Sequence, residues 1–376
     1  MTTRGSGYDL AVVGAGILGL ACAKAAAERG LKVVVLERQA RAEGASIRNF
    51  GFITVTGQER EAVWPRARRS REVWDEVAPL AGIAIEQRGS WVAARRPEAA
   101  AVLEAFLRTD MGEGCRLLGQ SAVRQRCPEL AAPGPVAVLE SPHERRVESR
   151  TAIGLLAGWL ARDRGVVFHW RTTVHALAPQ HVETSNGRVA ANAVVVCPGD
   201  DLWTLYPERL AGAALGRCRL QMMRLESPGF RLPATLMADL SVARYEGFAS
   251  LPEAAALKRR LRLEQPEHLR QGIHLIVAQG ADGSLVVGDS HDYTSPVEPF
   301  LNEGIYALLL EEYHAVTGRV APAVRERWSG TYAVASDRVL FVDAPAPNVR
   351  LVLVTSGVGA STGFAIGEEV IAELCG

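Results

Sequence analysis

The segment from residue 8 to residue 37 places the strongest constraint on the fold of this chain. A short apolar run at residues 10–13 leads into a glycine-rich turn, and residues 18–28 have the composition of a helix. A second apolar run at residues 32–36 follows and ends at the acidic Glu37. A strand, a tight turn, a helix and a second buried strand in this order are typical of a parallel βαβ unit.

The glycines of this unit have the spacing G-x-G-x-x-G, at Gly14, Gly16 and Gly19. Gly14 allows the tight turn, Gly16 lets a pyrophosphate approach the backbone, and Gly19 lets the helix pack closely on the strand. The helix N-terminus offers free N–H groups and positive partial charge to phosphates. Glu37 stands where a carboxylate accepts hydrogen bonds from a ribose diol. The spacing alone is a weak signal, but with both strands, the helix and the acid it predicts a dinucleotide site.

An alternative interpretation of the same stretch is a secretory signal peptide, because Arg4 precedes an apolar segment that ends with small residues at 21–23. Glycines are poor choices for the helical centre of a signal peptide, and the acid-ended second strand would then be a coincidence. We therefore favour the dinucleotide-binding unit.

The composition bounds the class of protein. The chain has 376 residues, enough for two domains and a large core. Its 42 basic and 42 acidic residues balance, so nothing indicates binding to nucleic acid or to an acidic membrane. No apolar run reaches the length of a transmembrane helix. The six cysteines are scattered without a C-x-x-C pair, which indicates reduced thiols, a cytoplasmic location and no metal site.

A second glycine-rich turn lies near the C-terminus, where SGVGASTGFAIGEEV leads into a helix predicted at residues 361–374. The apolar strand predicted at residues 193–197 also ends in a glycine turn, at Gly199. The middle of the chain is rich in short strands, which favours an antiparallel sheet there. The chain therefore leaves the nucleotide-binding unit and returns to it more than once.

Periodicity predicts the remaining elements. Helices are predicted at residues 59–78, 97–108, 151–164, 253–264 and 301–317. Strands are predicted as two pieces of 83–94 around Gly89, at 136–140, 166–170 and 172–176, as a hairpin over 182–191, and at 215–225, 234–250, 273–279, 284–288, 324–329, 339–343 and 349–355. Residues 110–135 are predicted to be connecting structure, and the strand at 136–140 is followed by a polar run.

Seven motifs are shared with a known group of enzymes. They are the glycine loop at 14–19, Glu37-Arg38, GASIRNFG at 44–51, Val174, and residues 194–199, 328–337 and 356–367. With these motifs the chain resembles the FAD-dependent amine and D-amino-acid oxidase family, which includes glycine oxidase and monomeric sarcosine oxidase. The resemblance covers nearly the whole chain and is most specific at its two ends.

The resemblance implies an α/β fold in which a Rossmann-like FAD-binding domain is joined to a discontinuous α+β substrate domain built on an antiparallel sheet. It assigns residues 1–80, 145–212 and 320–376 to the FAD-binding domain. Residues 81–144 and 213–319 then form the substrate domain.

The resemblance also implies the residues that contact FAD. The glycine loop would hold the pyrophosphate, Glu37 the ribose, Ser46 a phosphate and the Val174 backbone the adenine. The full implied set is Gly14, Gly16, Ile17, Leu18, Gly19, Glu37, Arg38, Ala45, Ser46, Asn49, Gly51, Val174, Cys197, Gly199, Gly357, Val358, Gly359, Ala360, Ser361, Thr362 and Gly363. The N-terminus of the terminal helix would direct positive partial charge at the flavin ring, where negative charge develops on reduction.

Two positions depart from the family pattern. Glycine oxidase-like members hold the substrate carboxylate with an arginine in a G-L-R-P motif, and Tyr332 stands at that position here. Sarcosine oxidase-like members attach the flavin to a cysteine, and Gly330 stands at that position. The resemblance therefore implies noncovalent FAD, and it leaves the carboxylate clamp without its usual arginine.

Four residues are candidates for the catalytic and substrate site, namely Arg48, Asn49, His291 and Tyr332. His291 matches a histidine of the sarcosine oxidase-like branch, and the three motif segments around these residues look like a branch associated with aminophosphonate breakdown. Arg48, His291 and Tyr332 would bind the anionic group, with His291 in its charged form. The alternatives are a surface charge for Arg48, a turn cap for Asn49, a loop histidine for His291 and a core aromatic for Tyr332.

The favoured hypothesis is an FAD-dependent oxidase that cleaves a C–N bond of a small, anionic amine, such as an N-methylated 2-aminoethylphosphonate, to an aldehyde and an amine. Molecular oxygen would reoxidise the flavin and give peroxide. The alternatives are oxidation of sarcosine, glycine or a D-amino acid, a flavin dehydrogenase with another electron acceptor, an NAD-binding enzyme, and a non-catalytic flavoprotein. The sequence leaves the oligomeric state open.

Overall fold

The structure is a computed structural model that describes residues 7–130, 134–294 and 296–375. Its strands form two large sheets, one around a parallel core and the other mostly antiparallel. Within the described ranges, no helix combines the length and the apolar character needed to cross a membrane.

The strands follow the chain in this order: β1 Tyr8–Val13, β2 Val33–Glu37, β3 Phe52–Ile53, β4 Gln87–Ala94, β5 Arg116–Gly119, β6 Ala137–Arg146, β7 Val167–Trp170, β8 Val174–Ala178, β9 His181–Thr184, β10 Gly187–Val196, β11 Gly216–Leu225, β12 Thr235–Ala238, β13 Ile276–Gln279, β14 Leu285–Gly288, β15 Val324–Val334, β16 Leu340–Ala346 and β17 Val349–Val354.

The helices are α1 Ile17–Glu28, α2 Trp64–Ala81, α3 Pro97–Leu107, α4 Gln120–Arg126, α5 Ser149–Arg164, α6 Pro207–Gly212, α7 Asp239–Val242, α8 Glu246–Ala249, α9 Ala254–Glu264, α10 Pro266–Arg270, α11 Glu303–Thr317 and α12 Gly359–Cys375. Short 3-10 turns occur at Ala45–Ile47, Asp110–Gly112 and Pro128–Leu130.

The first sheet contains the βαβ unit predicted from the N-terminal sequence. β1 lies between β2 and β10, and the three strands are parallel, with Val12 opposite both Val35 and Val195. β7 and β17 continue the parallel core on either side, and β16 closes one edge antiparallel to β17. Leu10 packs with helices α1, α2, α5 and α12 on one face, whereas Ala11 belongs to the core on the opposite face. Both faces are covered, which explains why these strands are apolar along their whole length.

The second sheet has the order β15-β11-β14-β13-β12-β4-β6-β3, with β5 on β6. All of its pairs are antiparallel except β12 with β4. A large core, which includes Trp91, Phe106 and Phe248, packs against this sheet. The predicted fold class, a Rossmann-like parallel unit joined to an antiparallel-sheet unit, is therefore confirmed.

The predicted domain ranges stay a prediction. β3 and β15 lie inside the ranges predicted for the FAD-binding domain, and both pair in the second sheet. The two sheets are thus connected by strands as well as by loops.

The prediction of a strand over residues 234–250 is wrong in part. Only β12 is a strand, and the short helices α7 and α8 follow it. The chain turns there because the fully buried Asp239 accepts hydrogen bonds from the Arg95 amide at 2.8 Å and from Arg96 Nη1 at 2.7 Å. These contacts join two distant segments of the chain, so periodicity within 234–250 could not show them.

The polar run at residues 141–146 is the continuation of β6. Its polar groups are buried but satisfied: Glu144, for example, accepts hydrogen bonds from the Thr56 amide at 2.7 Å and from Ser90 Oγ at 3.0 Å. β4 is a single strand whose pairing shifts register at Gly89, where φ is +77°. Buried hydrogen bonds thus sustain a strand whose sequence lacks the usual apolar alternation.

Two further boundaries differ from the prediction. The segment predicted to be connecting structure contains β5 and α4, although residues 131–133 of it lie outside the described residues. The first long helix begins at Trp64 rather than at residue 59, because the Glu59 carboxylate accepts the amides of Glu61, Ala62 and Val63 at 2.7–3.2 Å.

The glycine loop generates a prediction about stability. A Cβ added at Gly19 would lie 2.0 Å from the Gly14 carbonyl oxygen, whereas one added at Gly154 in α5 would meet no atom within 4 Å. We expect Gly19→Ala to lower the free energy of unfolding by about 1–3 kcal/mol, because α1 must move away from β1. Gly154→Ala is the matched control and should raise it by up to about 1 kcal/mol. Equal effects in chemical denaturation would contradict the close packing of α1 on β1.

Candidate active site

A cavity of about 560 Å³ is lined by residues from both sheets. It extends from the glycine loop after β1 to the end of β14 and the middle of β15. Its volume is in the range of sites that hold cofactors and small substrates. The cavity is therefore the candidate active site.

One end of the cavity is built around the start of α1. The Ile17 amide donates to Ser46 Oγ at 3.0 Å, and the Ala15 amide donates to Glu37 Oε2 at 2.9 Å. These two amides are therefore engaged within the protein. The other residues of the first turn of α1 also line the cavity, and their amides have no acceptors within the helix, so they are the anion-binding groups. A Cβ at Gly16 would lie 3.1 Å from Ser46 Oγ and would fill the space between the loop and α1. This end therefore fits a pyrophosphate.

The start of α12 lines another part of the cavity. The Thr54 amide donates to Ser361 Oγ at 2.8 Å, and Trp74 Nε1 donates to the Ala360 carbonyl at 2.9 Å. Gly357 has a φ of +74°, and a Cβ there would lie 3.0 Å from the Tyr332 ring. The turn before α12 is thus held against β15, and its helix N-terminus is aimed at the cavity, as a reduced flavin ring requires.

Most of the residues predicted to contact the cofactor line this cavity. The lining includes Gly16, Ile17, Leu18, Gly19, Ala45, Ser46, Asn49, Gly51, Cys197, Gly199, Gly357, Val358, Gly359, Ala360 and Ser361. Gly14, Glu37, Arg38, Val174, Thr362 and Gly363 are outside the lining.

The residues outside the lining have structural contacts of their own. Thr362 Oγ1 donates to the Val358 carbonyl at 3.0 Å, and a Cβ at Gly363 would contact Ile17. Arg38 Nη1 forms an ion pair with Asp201 at 2.5 Å. Their predicted contacts with FAD stay predictions.

Asn49 uses its side chain within its own loop. Its Nδ2 donates to the carbonyls of Ala45 and Ser46 at 2.9 and 3.0 Å, and its Oδ1 accepts the Gly51 amide at 2.7 Å. Both amide hydrogens are therefore engaged, which is the turn-capping alternative raised by the sequence. In this structure Asn49 shapes the loop that carries Arg48.

Arg48 and Tyr332 both line the cavity. Arg48 is exposed and its Nη1 is 3.5 Å from the Ser329 carbonyl, while its own carbonyl accepts Trp328 Nε1 at 3.1 Å. Tyr332 is half-buried, and burial raises the pKa of its phenol, so the hydroxyl stays protonated and can donate a hydrogen bond. The structure thus brings these two predicted residues to one cavity.

His291 also lines the cavity, but its charge differs from the prediction. Its Nδ1 is 2.9 Å from the Gly272 carbonyl, which can only accept, so Nδ1 carries the hydrogen and Nε2 presents a lone pair. Burial and the nearby Arg244 hold the pKa of His291 well below its usual range. In this structure His291 is therefore a neutral acceptor, and the expected imidazolium that binds an anion is not supported.

His291 has two buried neighbours that the sequence did not connect with it. The donor atoms of His274, Asp289 and His291 all lie within 4.8 Å of one another, and the two imidazole rings stack with centroids 5.0 Å apart. Burial raises the pKa of Asp289 to about 7 and lowers that of His274 well below its usual value. We call these three residues the His-Asp-His cluster. Sequence reasoning treated His274 as structural because the three positions have no ligand spacing.

Arg244 is the functional candidate that sequence reasoning missed. It follows α7, lines the cavity and donates from Nη2 to the Tyr293 hydroxyl at 2.8 Å. Among the described residues, it has no carboxylate within ion-pair distance. The only sequence signal was an Arg-Tyr pair inside a segment predicted to be a strand.

The parallel sheet with a glycine loop, the second helix N-terminus and the cavity between them define a dinucleotide-dependent oxidoreductase of the flavoprotein type. Residues 9–374 match the family described as FAD dependent oxidoreductase (DAO). The chain belongs to this family, and FAD is its cofactor. The residues around the cavity fit that cofactor, since both helix N-termini and the open glycine positions face it.

Solved structures share the fold at low sequence identity. Glycine oxidase from Bacillus cereus is 17% identical with a TM-score of 0.78, covering 98% of this chain and 94% of that one. L-proline dehydrogenase from P. horikoshii is 16% identical with a TM-score of 0.76, covering 98% and 93%. L-amino acid deaminase from Proteus vulgaris is 17% identical with a TM-score of 0.75, covering 100% and 94%. No curated protein matches the chain.

Glu37 generates a prediction about cofactor affinity. Its carboxylate accepts the amides of Ala15 and Gln39, each at 2.9 Å, and stands at the end of β2 where a ribose diol would bind. We expect Glu37→Ala to weaken FAD binding about tenfold or more, because a charged acceptor is lost. Fluorescence titration of the apoprotein with FAD measures the affinity. Glu43→Ala, in the exposed loop beyond, is the control, and equal affinity of both variants would refute the role of Glu37.

The mode of FAD attachment gives a second prediction. Gly330, at the position of the linking cysteine in sarcosine oxidase-like enzymes, has no side chain that could form the bond. We expect acid precipitation to release all flavin into the supernatant. Yellow colour that remains with the protein pellet would show that another residue attaches the flavin.

Proposed function

We propose that the protein uses FAD to oxidise the C–N bond of a small amine that carries an anionic group, with an amino acid or N-alkylated amino acid as the first candidate. The observation that carries the proposal is a pair of arginines, Arg48 and Arg244, that line the cofactor cavity without carboxylate partners among the described residues. Cations left unpaired in a cavity favour an anionic ligand.

The two arginines reach the cavity from different parts of the fold. Arg48 packs near Gly330 of β15, where a Cβ would lie 3.3 Å from the Arg48 carbonyl oxygen, and Arg244 comes from the turn after α7. Tyr332 lines the cavity beside Gly357 of the turn before α12, and its hydroxyl can donate to the same anion. This arrangement would replace the single arginine clamp that the sequence lacks.

Bound FAD supplies the hydride acceptor for this reaction. The chain's residues bind the anionic end of the substrate, hold the amine-bearing carbon beside the flavin and keep the amine neutral. Arg244, Arg48 and Tyr332 bind the anionic end of the substrate. The turn before α12 would stabilise negative charge on the reduced cofactor. The resulting imine would be hydrolysed by water to a carbonyl compound and an amine.

The finer substrate assignment differs from the one favoured by sequence. The similar structures include enzymes named for glycine, L-proline, L-amino acids and iminodiacetate, and one named for the phosphate ester L-α-glycerophosphate. These names support carboxylate-bearing amines before aminophosphonates. A cavity with two unpaired arginines still has enough positive charge for a phosphonate dianion, so that substrate stays a proposal of second rank.

The experiment that tests the proposal is anaerobic reduction of the flavin by candidate amines. The loss of absorbance at about 450 nm, a general flavin property, measures the reduction. The panel holds glycine, sarcosine, proline, D- and L-alanine, iminodiacetate and N-methyl-2-aminoethylphosphonate, with uncharged N-methylbutylamine as the control. We expect reduction by at least one anionic amine and little by the control. Reduction by the uncharged amine alone would refute the anion site.

The electron acceptor is tested separately. We propose molecular oxygen, because several similar structures are named as oxidases. Peroxide formed in air should then equal the amine consumed. A low yield of peroxide, together with fast turnover when a quinone or artificial dye is added, would favour the dehydrogenase alternative.

The arginines generate a prediction about substrate affinity. We expect Arg244→Gln to raise KM for the best anionic amine about tenfold or more with a smaller change in kcat, because a charge-assisted contact disappears. Arg48→Gln should act in the same direction, and Arg259→Gln on the exposed face of α9 should have no effect. If Arg244→Gln leaves KM unchanged while Arg48→Gln raises it, the anion binds on the Arg48 side alone.

A further inference from the structure

We propose that the His-Asp-His cluster accepts the proton that the substrate ammonium must lose before oxidation. The proposal rests on the proposed function, because a C–N oxidation needs a neutral amine. At neutral pH a free alkylamine is mostly protonated, and its nitrogen then has no lone pair to form the C=N bond. A group in the cavity must therefore take one proton from each substrate molecule.

The hydrogen bonds of the cluster determine which nitrogen of each imidazole carries a lone pair. His291 Nδ1–H donates to the Gly272 carbonyl at 2.9 Å, so Nε2 carries no hydrogen. Ser241 Oγ donates its only hydrogen to the Leu275 carbonyl at 3.1 Å, so the 3.4 Å contact to His274 requires Nδ1–H of the imidazole to donate. His274 Nε2 is therefore also a lone pair, and it faces Asp289 Oδ1 at 3.1 Å.

The carboxylate of Asp289 is an unsatisfied acceptor in this arrangement. Asp289 is only 4% exposed, and Oδ1 is buried without a hydrogen-bond partner among the described residues, although His274 Nε2 lies 3.1 Å away. Two lone pairs 3.1 Å apart repel unless a hydrogen lies between them. One added proton relieves the repulsion and satisfies both atoms, so the pair is built to take up a single proton.

The three residues also have the right place in the cavity. All three belong to its lining, and His291 is the most exposed of them, so it is the member that an amine reaches first. The register of β13 and β14 sets this geometry, because Ile276 lies opposite Gly288 and brings His274 beside Asp289.

The positive charge of Arg244 beside the cluster weakens the binding of an added proton, so the proton can leave again. Arg244 acts on all three residues, and Tyr245, Tyr332 and Cys218 also face Asp289. Burial keeps these two tyrosines and the thiol protonated, so Arg244 is the fixed charge among them. Its positive charge favours the ionised carboxylate and disfavours an imidazolium. The proton therefore resides on Asp289 beside His274, with a pKa of about 7, and returns to solvent near neutral pH.

The step balances as follows. An N–H bond of the ammonium breaks, its proton binds to the cluster, and the electron pair stays on nitrogen. The C–H bond then breaks, its hydride carries two electrons to the flavin, and the nitrogen lone pair forms the C=N bond. The proton on the cluster leaves to solvent before the next substrate binds.

The first test is the pH dependence of anaerobic flavin reduction below saturation. In the wild type we expect the rate to rise about tenfold per pH unit and to level off near pH 7, where the cluster is deprotonated. In Asp289→Asn the rate at pH 7 should fall and should keep rising toward the pKa of the amine itself. Glu312→Gln, which removes a buried acid bonded to Gln265 outside the cavity, is the matched control and should keep the wild-type profile.

A second variant keeps the proposal testable if Asp289→Asn folds poorly. The amide of His274→Gln can donate to the carboxylate and favour its ionised form, so the levelling-off should move to lower pH. Profiles of unchanged shape in both Asp289→Asn and His274→Gln would overturn the proposal. Absence of flavin reduction by every amine at every pH would instead contradict the proposed function.

The second test needs neither substrate nor turnover. Asp289 has a pKa of about 7 in the folded chain, above that of an unfolded aspartate at about 3.9. The folded protein therefore binds an extra proton between these values, and its stability falls as pH rises through this window and then stays constant. The melting temperature of the wild-type holoenzyme should fall relative to that of the Asp289→Asn holoenzyme from about pH 4 to 7, with no further divergence above that range.

Parallel melting curves would overturn the proposal, since Asp289 would then not titrate in this range. The lone pairs of the cluster could also converge on a metal ion instead of a proton. Elemental analysis of the purified holoenzyme distinguishes these cases. One equivalent of a transition metal that is lost in both Asp289→Asn and His274→Gln would overturn the proton role, and a metal-free enzyme with the shifted pH profile would support it.

Discussion

The parallel pairing of β1 with β2 and β10 decides where the groups of the cavity lie. In a parallel sheet the carboxyl ends of neighbouring strands meet at one edge, and a ligand binds in the crevice outside that edge. Here that edge brings together Gly14 after β1, Glu37 at the end of β2 and Cys197 after β10. A Cβ at Gly14 would lie 2.5 Å from the Cys197 carbonyl oxygen, so the close approach of the segments after β1 and β10 requires glycine there. The start of α1, and with it the pyrophosphate end of the site, depends on this close approach.

The second sheet contributes the substrate end of the cavity through the pairing of its strands. β11 pairs with β14 on one side and with β15 on the other, which brings residues about forty positions apart in sequence to one wall of the cavity. Tyr332 on β15 lies opposite Cys218 on β11, and Asp289 follows directly after β14. The buried hydrogen bonds of Asp239 then hold α7 so that the following turn presents Arg244 to the same space. Charge at the substrate end is thus placed by contacts in the core rather than by the local sequence.

This division explains how much could be predicted from the sequence. The glycine loop, Glu37 and the turn before α12 are local motifs whose chemistry and position are set within a few residues. The loop from Gly16 onward and the turn line the cavity, whereas Gly14 and Glu37 lie outside its lining. The fold class was predictable for the same reason, since the βαβ unit carries its own periodicity. His274, Asp289 and Arg244 were not predictable as a site, because β-sheet register and a buried carboxylate bring them together, and neither leaves a pattern in the spacing. The charged form expected of His291 was not predictable for a related reason: the burial and the nearby Arg244 that lower its pKa in this structure are tertiary features.

The polar groups of the substrate end form two opposite sets. Arg48 and Arg244 are exposed side chains that offer positive charge to the cavity without carboxylate partners among the described residues, while the His-Asp-His cluster offers lone pairs without donors. The cluster is the set that is costly to bury alone, because its unpaired polar groups have lost their contacts with water. A ligand that carries an anion at one end and an ammonium at the other satisfies both sets at once. Under the proposed function, the groups of the cavity taken together therefore match the charge pattern of a zwitterion, such as an amino acid, more fully than any single residue does.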